Sequence, residues 1–227
     1  MTTDDALAAW REDFLAEYPL DRDVLDDSLL CAQEAGIPDA DRARAAEDRI
    51  PARYDHALAT DPEVRAWLAG LAERAIRTRR VVPAITRGPS LLMLGPTGVG
   101  KTHQPYGMLR GMAALGIRAK WRCTAAADLY ARLRPRHGVD SEAVFEEHAR
   151  SALLVIDDLG AMKNSEWIEE VNYRLVNYRY EHELPTLFTS NLLPLDLANT
   201  MGGRVSSRLT EMSGRVTLKG DDRRYAA

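Results

Sequence analysis

The chain has 227 residues, 45% of them hydrophobic and 28% charged, with a formal net charge of -4 at pH 7. That composition suits one folded domain with a modest appendage and excludes both a large multidomain machine and a mostly disordered polypeptide. No apolar run approaches the roughly 18 residues of a membrane span, and Met1 leads into Thr2, Thr3, Asp4 and Asp5 rather than a basic and then apolar leader, so a cytoplasmic protein without membrane contact is expected.

Charge is unevenly placed. Residues 1–63 hold 17 acidic and six basic side chains, a charge of -11, which leaves 17 acidic and 24 basic side chains, and +7, for residues 64–227. The basic part is suited to phosphate, although +7 over that length is also an ordinary surface. Cys31 and Cys123 are too few for a disulfide framework or a Cys-rich zinc site and are expected to be reduced structural thiols.

Ala6, Leu7, Trp10, Phe14 and Tyr18 recur at helical spacing before Pro19, which predicts an amphipathic helix over 4–18. A second helix from Asp21 or Asp23 should bury Val24, Leu25, Leu29 and Ala32 and stop at Gly36-Ile37-Pro38. Residues 39–49 are short and charged. Asp61-Pro62-Glu63 supplies an N-cap, a proline at the first helical position and an acidic first turn, opening a helix that should end near Arg80.

From residue 90 short apolar runs alternate with helical stretches, the pattern of an α/β fold with a parallel sheet. The candidate strands are Ser90–Leu94, Arg118–Cys123, Ala152–Ile156, Thr186–Ser190 and Arg215–Leu218, with a clear helix over Trp167–Glu183.

Directly after the first of these strands comes Gly95-Pro96-Thr97-Gly98-Val99-Gly100-Lys101-Thr102, which satisfies G-x-x-x-x-G-K-[ST] in its strand, loop and helix context. Glycines let successive backbone N–H groups turn inward around phosphate oxygens, and the following helix adds the positive end of its dipole. Lys101 is expected to reach the β- and γ-phosphates of ATP, and Thr102 to offer its hydroxyl to Mg2+, a hard cation that prefers oxygen ligands. Leu153-Leu154-Val155-Ile156-Asp157-Asp158 is an apolar strand ending in two acids. At the C-terminal edge of a parallel sheet, Asp157 suits the magnesium shell and Asp158 suits polarisation of an attacking water.

These segments resemble the AAA+ ATPases of the DnaC/IstB type, which comprise replicative helicase loaders and transposition helper ATPases. The likeness covers about residues 50–225. It rests on Gly100-Lys101-Thr102-His103, on 153–160, and on Asn177-Tyr178-Arg179-Tyr180 leading into 184–191. Arg204-Val205-Ser206-Ser207-Arg208-Leu209 before 219–224 completes it. The resemblance implies an AAA+ P-loop domain at 50–227 with a parallel five-stranded sheet, preceded by an acidic helical partner-binding region at 1–49. With 19 residues after Arg208, a separate C-terminal helical lid like that of larger AAA+ proteins is not expected. It also implies Asn191 as the polar sensor near the γ-phosphate, Arg208, or Arg204 one turn earlier, as a finger completing a neighbour's site, and Arg224 as a nucleotide contact.

Two features depart from the family pattern. Pro105 and Gly107 fall just inside the helix after the phosphate loop, where good helix formers are usual, and the second acid is Asp158 rather than glutamate. Tyr130 with Arg132, Arg134, Arg136 and His137 suits single-stranded DNA, by backbone tracking and base stacking, or forms a solvated loop. The expected function is an oligomeric ATPase that engages single-stranded DNA and delivers a replicative helicase. The alternatives are a helper that organises duplex DNA for a transposase, and a small-molecule kinase with the same phosphate loop.

Overall fold

A computed structural model of the chain describes residues 2–34, 50–78, 82–220 and 222. The expected helix stop at Gly36-Ile37-Pro38, the burial of Ala32, the charged stretch 39–49 and the contact of Arg224 lie outside the described residues, while the helix expected to end near Arg80 ends at Arg77. No described helix is long and apolar enough to cross a membrane. The chain divides into two compact units, one from Met1–Ile85 with Thr102–Ala119 and one from Thr86–Lys101 with Lys120–Ala227.

The first unit is helical. Helix α1 (Thr3–Glu17) begins in a capping box, in which the Thr2 hydroxyl accepts from the Asp5 N–H at 3.1 Å and the Asp5 carboxylate accepts from the Thr2 N–H at 2.8 Å. It buries Trp10, Phe14 and Leu15. Helix α2 (Arg22–Glu34) buries Val24, Leu25 and Ser28, while Leu29 is half-buried and Cys31 is exposed. Helix α3 (Pro62–Arg77) starts where the spacing predicts, with the Asp61 carboxylate accepting from the N–H groups of Glu63 and Val64.

Helix α4 (His103–Ala114) tolerates Pro105 because a first-turn residue has no intrahelical acceptor for an N–H. Its glycines answer to crowding. A Cβ on Gly107 would stand 2.2 Å from the Leu58 carbonyl carbon, and one on Gly111 would stand 2.4 Å from the Trp10 ring. Each glycine costs a helix about 1 kcal/mol relative to alanine, and here it admits a neighbour that no other residue would. The Trp10 indole N–H donates to the Ala59 carbonyl at 2.7 Å and pins the same region.

The second unit carries the sheet. Strands β1 (Ser90–Leu94), β2 (Trp121–Ala125), β3 (Leu153–Asp157), β4 (Thr186–Ser190) and β5 (Ser213–Thr217) run parallel in the order β2-β3-β4-β1-β5. The predicted α/β class and five-stranded parallel sheet are both present. The second strand begins later than predicted, because Arg118 forms an isolated bridge with Ala84 in the first unit instead of joining the sheet. The last strand begins two residues earlier, where Ser213 takes its register from Ser90.

Helices α5 (Ala126–Leu133), α6 (Ser141–Ala149), α7 (Glu166–Glu181), α8 (Pro194–Met201) and α9 (Gly203–Met212) complete this unit. One core joins Leu92 and Leu94 of β1, Leu154 and Ile156 of β3 and Phe188 of β4 to Leu129, Phe145, Leu175, Leu197 and Leu209 of the helices. The strand residues alternate along the chain, as the pleat requires for one shared face.

Arg179 of α7 is fully buried and makes no ion pair among the described residues. Its guanidinium donates to the carbonyls of His148, Ala149, Ser151 and Pro185 at 2.8 to 3.1 Å and to the Thr186 hydroxyl at 2.6 Å. Burial pushes the group down to about 9, so it stays charged at neutral pH. It ties the end of α6 and the turn below it to the start of β4, where the Thr186 N–H also donates to the Ser90 hydroxyl at 3.0 Å.

Candidate functional site

Because β3, β4 and β1 are adjacent and parallel, the segments leaving their C-terminal ends share one edge of the sheet. Those segments are the Asp157-Asp158 pair, Asn191 and the glycine loop, so the topology brings together the groups singled out from the sequence.

The loop is shaped by its backbone. Gly98 and Gly100 lie at φ +88° and +101°, left-handed values that residues with a Cβ adopt only with strain. Side-chain space is also missing at Gly98, where a Cβ would meet the Asp222 carboxylate at 2.0 Å. Val99 is buried. Lys101 is 7% exposed and turned into the loop, its Nζ donating to the carbonyls of Gly95 at 2.8 Å and Pro96 at 2.6 Å. Thr102 follows as the N-cap residue of α4. A cradle of Cβ-free backbone with one inward ammonium fits the phosphates of a nucleotide. The Asp157 carboxylate is a hard oxygen donor of the kind that suits a magnesium ion.

The acid pair is strapped to β4 by Thr189. Its hydroxyl donates to the Asp157 carboxylate and accepts from the Asp158 N–H at 2.9 Å. The Leu159 N–H donates to the Thr189 carbonyl at 2.8 Å, and the Ser190 hydroxyl donates to the Leu159 carbonyl at 2.6 Å. These bonds hold Asp158 at φ +61°, a left-handed conformation that costs most residues about 1–2 kcal/mol and that aspartate, bonding locally, adopts at the lower end of that range. The Asp158 carboxylate accepts from the side-chain amide of Asn191. Sequence reasoning assigned no role to Thr189 or Ser190. The available signal was two consecutive hydroxyl residues in an apolar strand, both fully buried here.

Arg204 and Arg208 share a face of α9. Their guanidinium carbons lie 6.0 and 5.1 Å from the centre of the Tyr173 ring on α7. The basic segment straddles the end of α5. Arg132 pairs with Glu147 at 3.4 Å, Arg134 lies over the Trp167 ring at 5.5 Å, and Arg136 donates to the Ala131 carbonyl. Tyr130 corrects the expectation of a base-stacking ring. It is 3% exposed, its hydroxyl donates to Asn172 at 2.7 Å, and burial pushes that hydroxyl up to about 12. The half-buried aromatic beside the arginines is Trp167.

A parallel sheet in the order β2-β3-β4-β1-β5, with a glycine loop leaving β1 and an acid pair leaving β3, is the AAA+ P-loop fold, the class of nucleotide-binding domains that the DnaC helicase loader structure shares. The chain belongs to the IstB-like ATP binding proteins, whose family model matches residues 29–224. It is 33% identical over 123 residues to the insertion sequence IS5376 ATP-binding protein of Geobacillus stearothermophilus, covering 52% of this chain and 47% of that protein. It is 24% identical over 161 residues to the corresponding IS21 protein of Pseudomonas aeruginosa, covering 68% of this chain and 60% of that one. The chain thus spans about half to three-fifths of these curated relatives. Among solved structures, the DnaC helicase loader matches with a TM-score of 0.58 and 26% identity, over 74% of this chain and 100% of that one.

Proposed function

We propose that the chain hydrolyses ATP and uses the cycle to assemble with copies of itself on DNA and engage a partner protein. The observation that carries hydrolysis, rather than binding alone, is Asp158. The turn holds this acid at a strained backbone angle and ties it to Asn191 at the edge where the phosphate loop ends. Such strain persists where surrounding bonds over-determine it, and it clusters at working sites.

In this reading the loop N–H groups of residues 95–100 and the Lys101 ammonium bind the phosphates. Thr102 and Asp157 are the residues that would hold a magnesium ion, which when bound would supply charge neutralisation at the phosphates. Asp158 orients the attacking water, and Asn191 fixes the Asp158 carboxylate and senses the γ-phosphate. Arg208 reaches the nucleotide of a second subunit, and Arg224 contacts the nucleotide. Residues 1–49, acidic and helical at their start, form the partner-binding region, and the protein works in the cytoplasm.

The similarity to insertion-sequence ATP-binding proteins supports a transposition helper that acts on duplex DNA with a transposase. The likeness to DnaC over its whole length supports the second reading, a loader that engages single-stranded DNA and delivers a replicative helicase. Binding of the full chain to duplex and single-stranded DNA, with ATP and Mg2+ across a salt series, separates them. Duplex preference is expected from the helper and single-strand preference from the loader. Either affinity should fall as salt rises, since phosphate contacts release counterions. No binding to either DNA at low salt with ATP would overturn both readings.

A further inference from the structure

Arg208 is half-buried yet makes no ion pair among the described residues, and its Nε is buried without a hydrogen-bond partner. In place of an acid it has two aromatic faces, the rings of Tyr173 and Tyr180 on α7, whose centres lie 5.1 and 5.7 Å from its guanidinium carbon. The acid on its own helix that should claim it is Glu211, three residues on and therefore on the same face. That carboxylate is engaged elsewhere, accepting a hydrogen bond from the Tyr180 hydroxyl at 2.7 Å. Tyr180 thus turns its ring to the cation and its hydroxyl to the cation's natural quencher.

We infer that Tyr173 and Tyr180 are positioning residues for Arg208: their rings hold the guanidinium, while the Tyr180 hydroxyl keeps Glu211 from pairing with it. The inference rests on the reading of Arg208 as a finger for a second copy of this chain. A planar guanidinium lying on an aromatic ring uses its face, which leaves the in-plane N–H donors for a phosphoryl group. A carboxylate would occupy those same donors, because it binds the fork edge-on. The aromatic ledge therefore fixes the arginine without consuming the groups that would stabilise transition-state charge.

The test uses the full chain and steady-state ATP turnover under assembling conditions, with ATP affinity measured alongside. Tyr180→Phe keeps the ring and frees Glu211. Turnover should fall about two- to fivefold, the range set by a partly exposed ion pair that must be broken before Arg208 can act, with ATP affinity unchanged. Glu211→Gln alone should leave turnover at the wild-type level, and Tyr180→Phe combined with Glu211→Gln should restore it. Tyr173→Phe should behave as wild type and Tyr173→Ala should be slower. A purely structural tyrosine would not be rescued by removing a charge on another helix, so a double variant as slow as Tyr180→Phe overturns the inference. Tyr180→Phe at the wild-type rate does so too. Arg208→Ala separates the two levels. Full turnover in that variant removes the finger and the inference with it, whereas loss of turnover there with no effect of Tyr180→Phe removes the inference alone.

Discussion

Replacing Thr189 with valine removes one hydroxyl and leaves the volume almost unchanged, so its effect isolates the bonds that strap the acid turn to β4. Two are lost, the one donated to the Asp157 carboxylate and the one accepted from the Asp158 N–H. A hydrogen bond to a charged group contributes about 1.5–3 kcal/mol, and a buried donor left unsatisfied costs about 1–3 kcal/mol. Asp158 and its surroundings are half-buried, which favours the lower ends, and relaxation of Asp158 from φ +61° recovers about 1 kcal/mol of backbone strain. The lower ends total about 2.5 kcal/mol, so the net loss is about 1.5 kcal/mol, and at about 2–4 °C per kcal/mol for a chain of this size Tm should fall by roughly 3–6 °C. The relaxation that softens this loss also moves the Asp158 carboxylate away from Asn191, so hydrolysis should collapse while ATP binding survives. Thr189→Ser, which keeps the hydroxyl, should retain most of both properties. Denaturation scans with and without ATP, paired with phosphate-release rates, supply the readout. Thr189→Val within 2 °C of wild type and still turning over ATP would show that the hydroxyl does not hold the site.

Lys101→Ala should abolish stabilisation by ATP and Mg2+, which for wild type at a hundredfold excess over Kd is about 2.7 kcal/mol; unchanged ATP-dependent thermal shifts would displace the phosphate site from the loop. Mixing inactive Asp158→Asn with inactive Arg208→Ala should regain part of the turnover, because an Arg208→Ala subunit keeps an intact water-orienting acid beside a neighbour that donates Arg208. Mixed assemblies verified by mass and still inactive would place the arginine's role within its own subunit. His148 gives a pH dependence: it is 1% exposed, and burial, with Arg132 and Arg122 nearby, holds its pKa below 6.5. The unfolded chain therefore binds a proton that the folded chain refuses, so stability is fully present above about pH 6.5 and declines below it. His148→Gln should flatten this decline in Tm measured against pH, and an unchanged slope would assign it to other groups.

The parts legible from sequence were those whose chemistry is local. The phosphate loop, the capped start of α3 and the acid end of β3 each state their conformation within a few neighbouring residues. What was hidden depends on partners far along the chain. Arg179 sits in a helix rich in charged residues, where an arginine reads as solvent-facing, and only the meeting of α6 with β4 gives it carbonyl oxygens to bind. Gly107 and Gly111 look like helix-weakening choices until Leu58 and Trp10 come against them. Tyr130 and Trp167 show the same limit, since both are aromatic neighbours of arginines and burial alone decides which one remains in reach. The Tyr180 to Glu211 bond joins two helices with β4 and α8 between them in sequence, and no spacing rule links such residues.

Strand β4 can be seen as a measuring rod. Its lower end is seized by Arg179 and Ser90, its five residues are all buried, and it delivers Thr189, Ser190 and Asn191 at the other end. From Thr186 to Ser190 the rise is about 13 Å at 3.3 Å per residue, a length that extended backbone cannot stretch. Placement of the polar cluster is thereby set by a fixed end at the base of the sheet rather than by the loops around the cluster. Segments such as 161–165 and 192–193 can lengthen, shorten or change composition without altering the height at which the working groups stand. A design that grafts new partner specificity onto this scaffold has freedom at the rim, provided the anchor at the foot of the rod is left untouched.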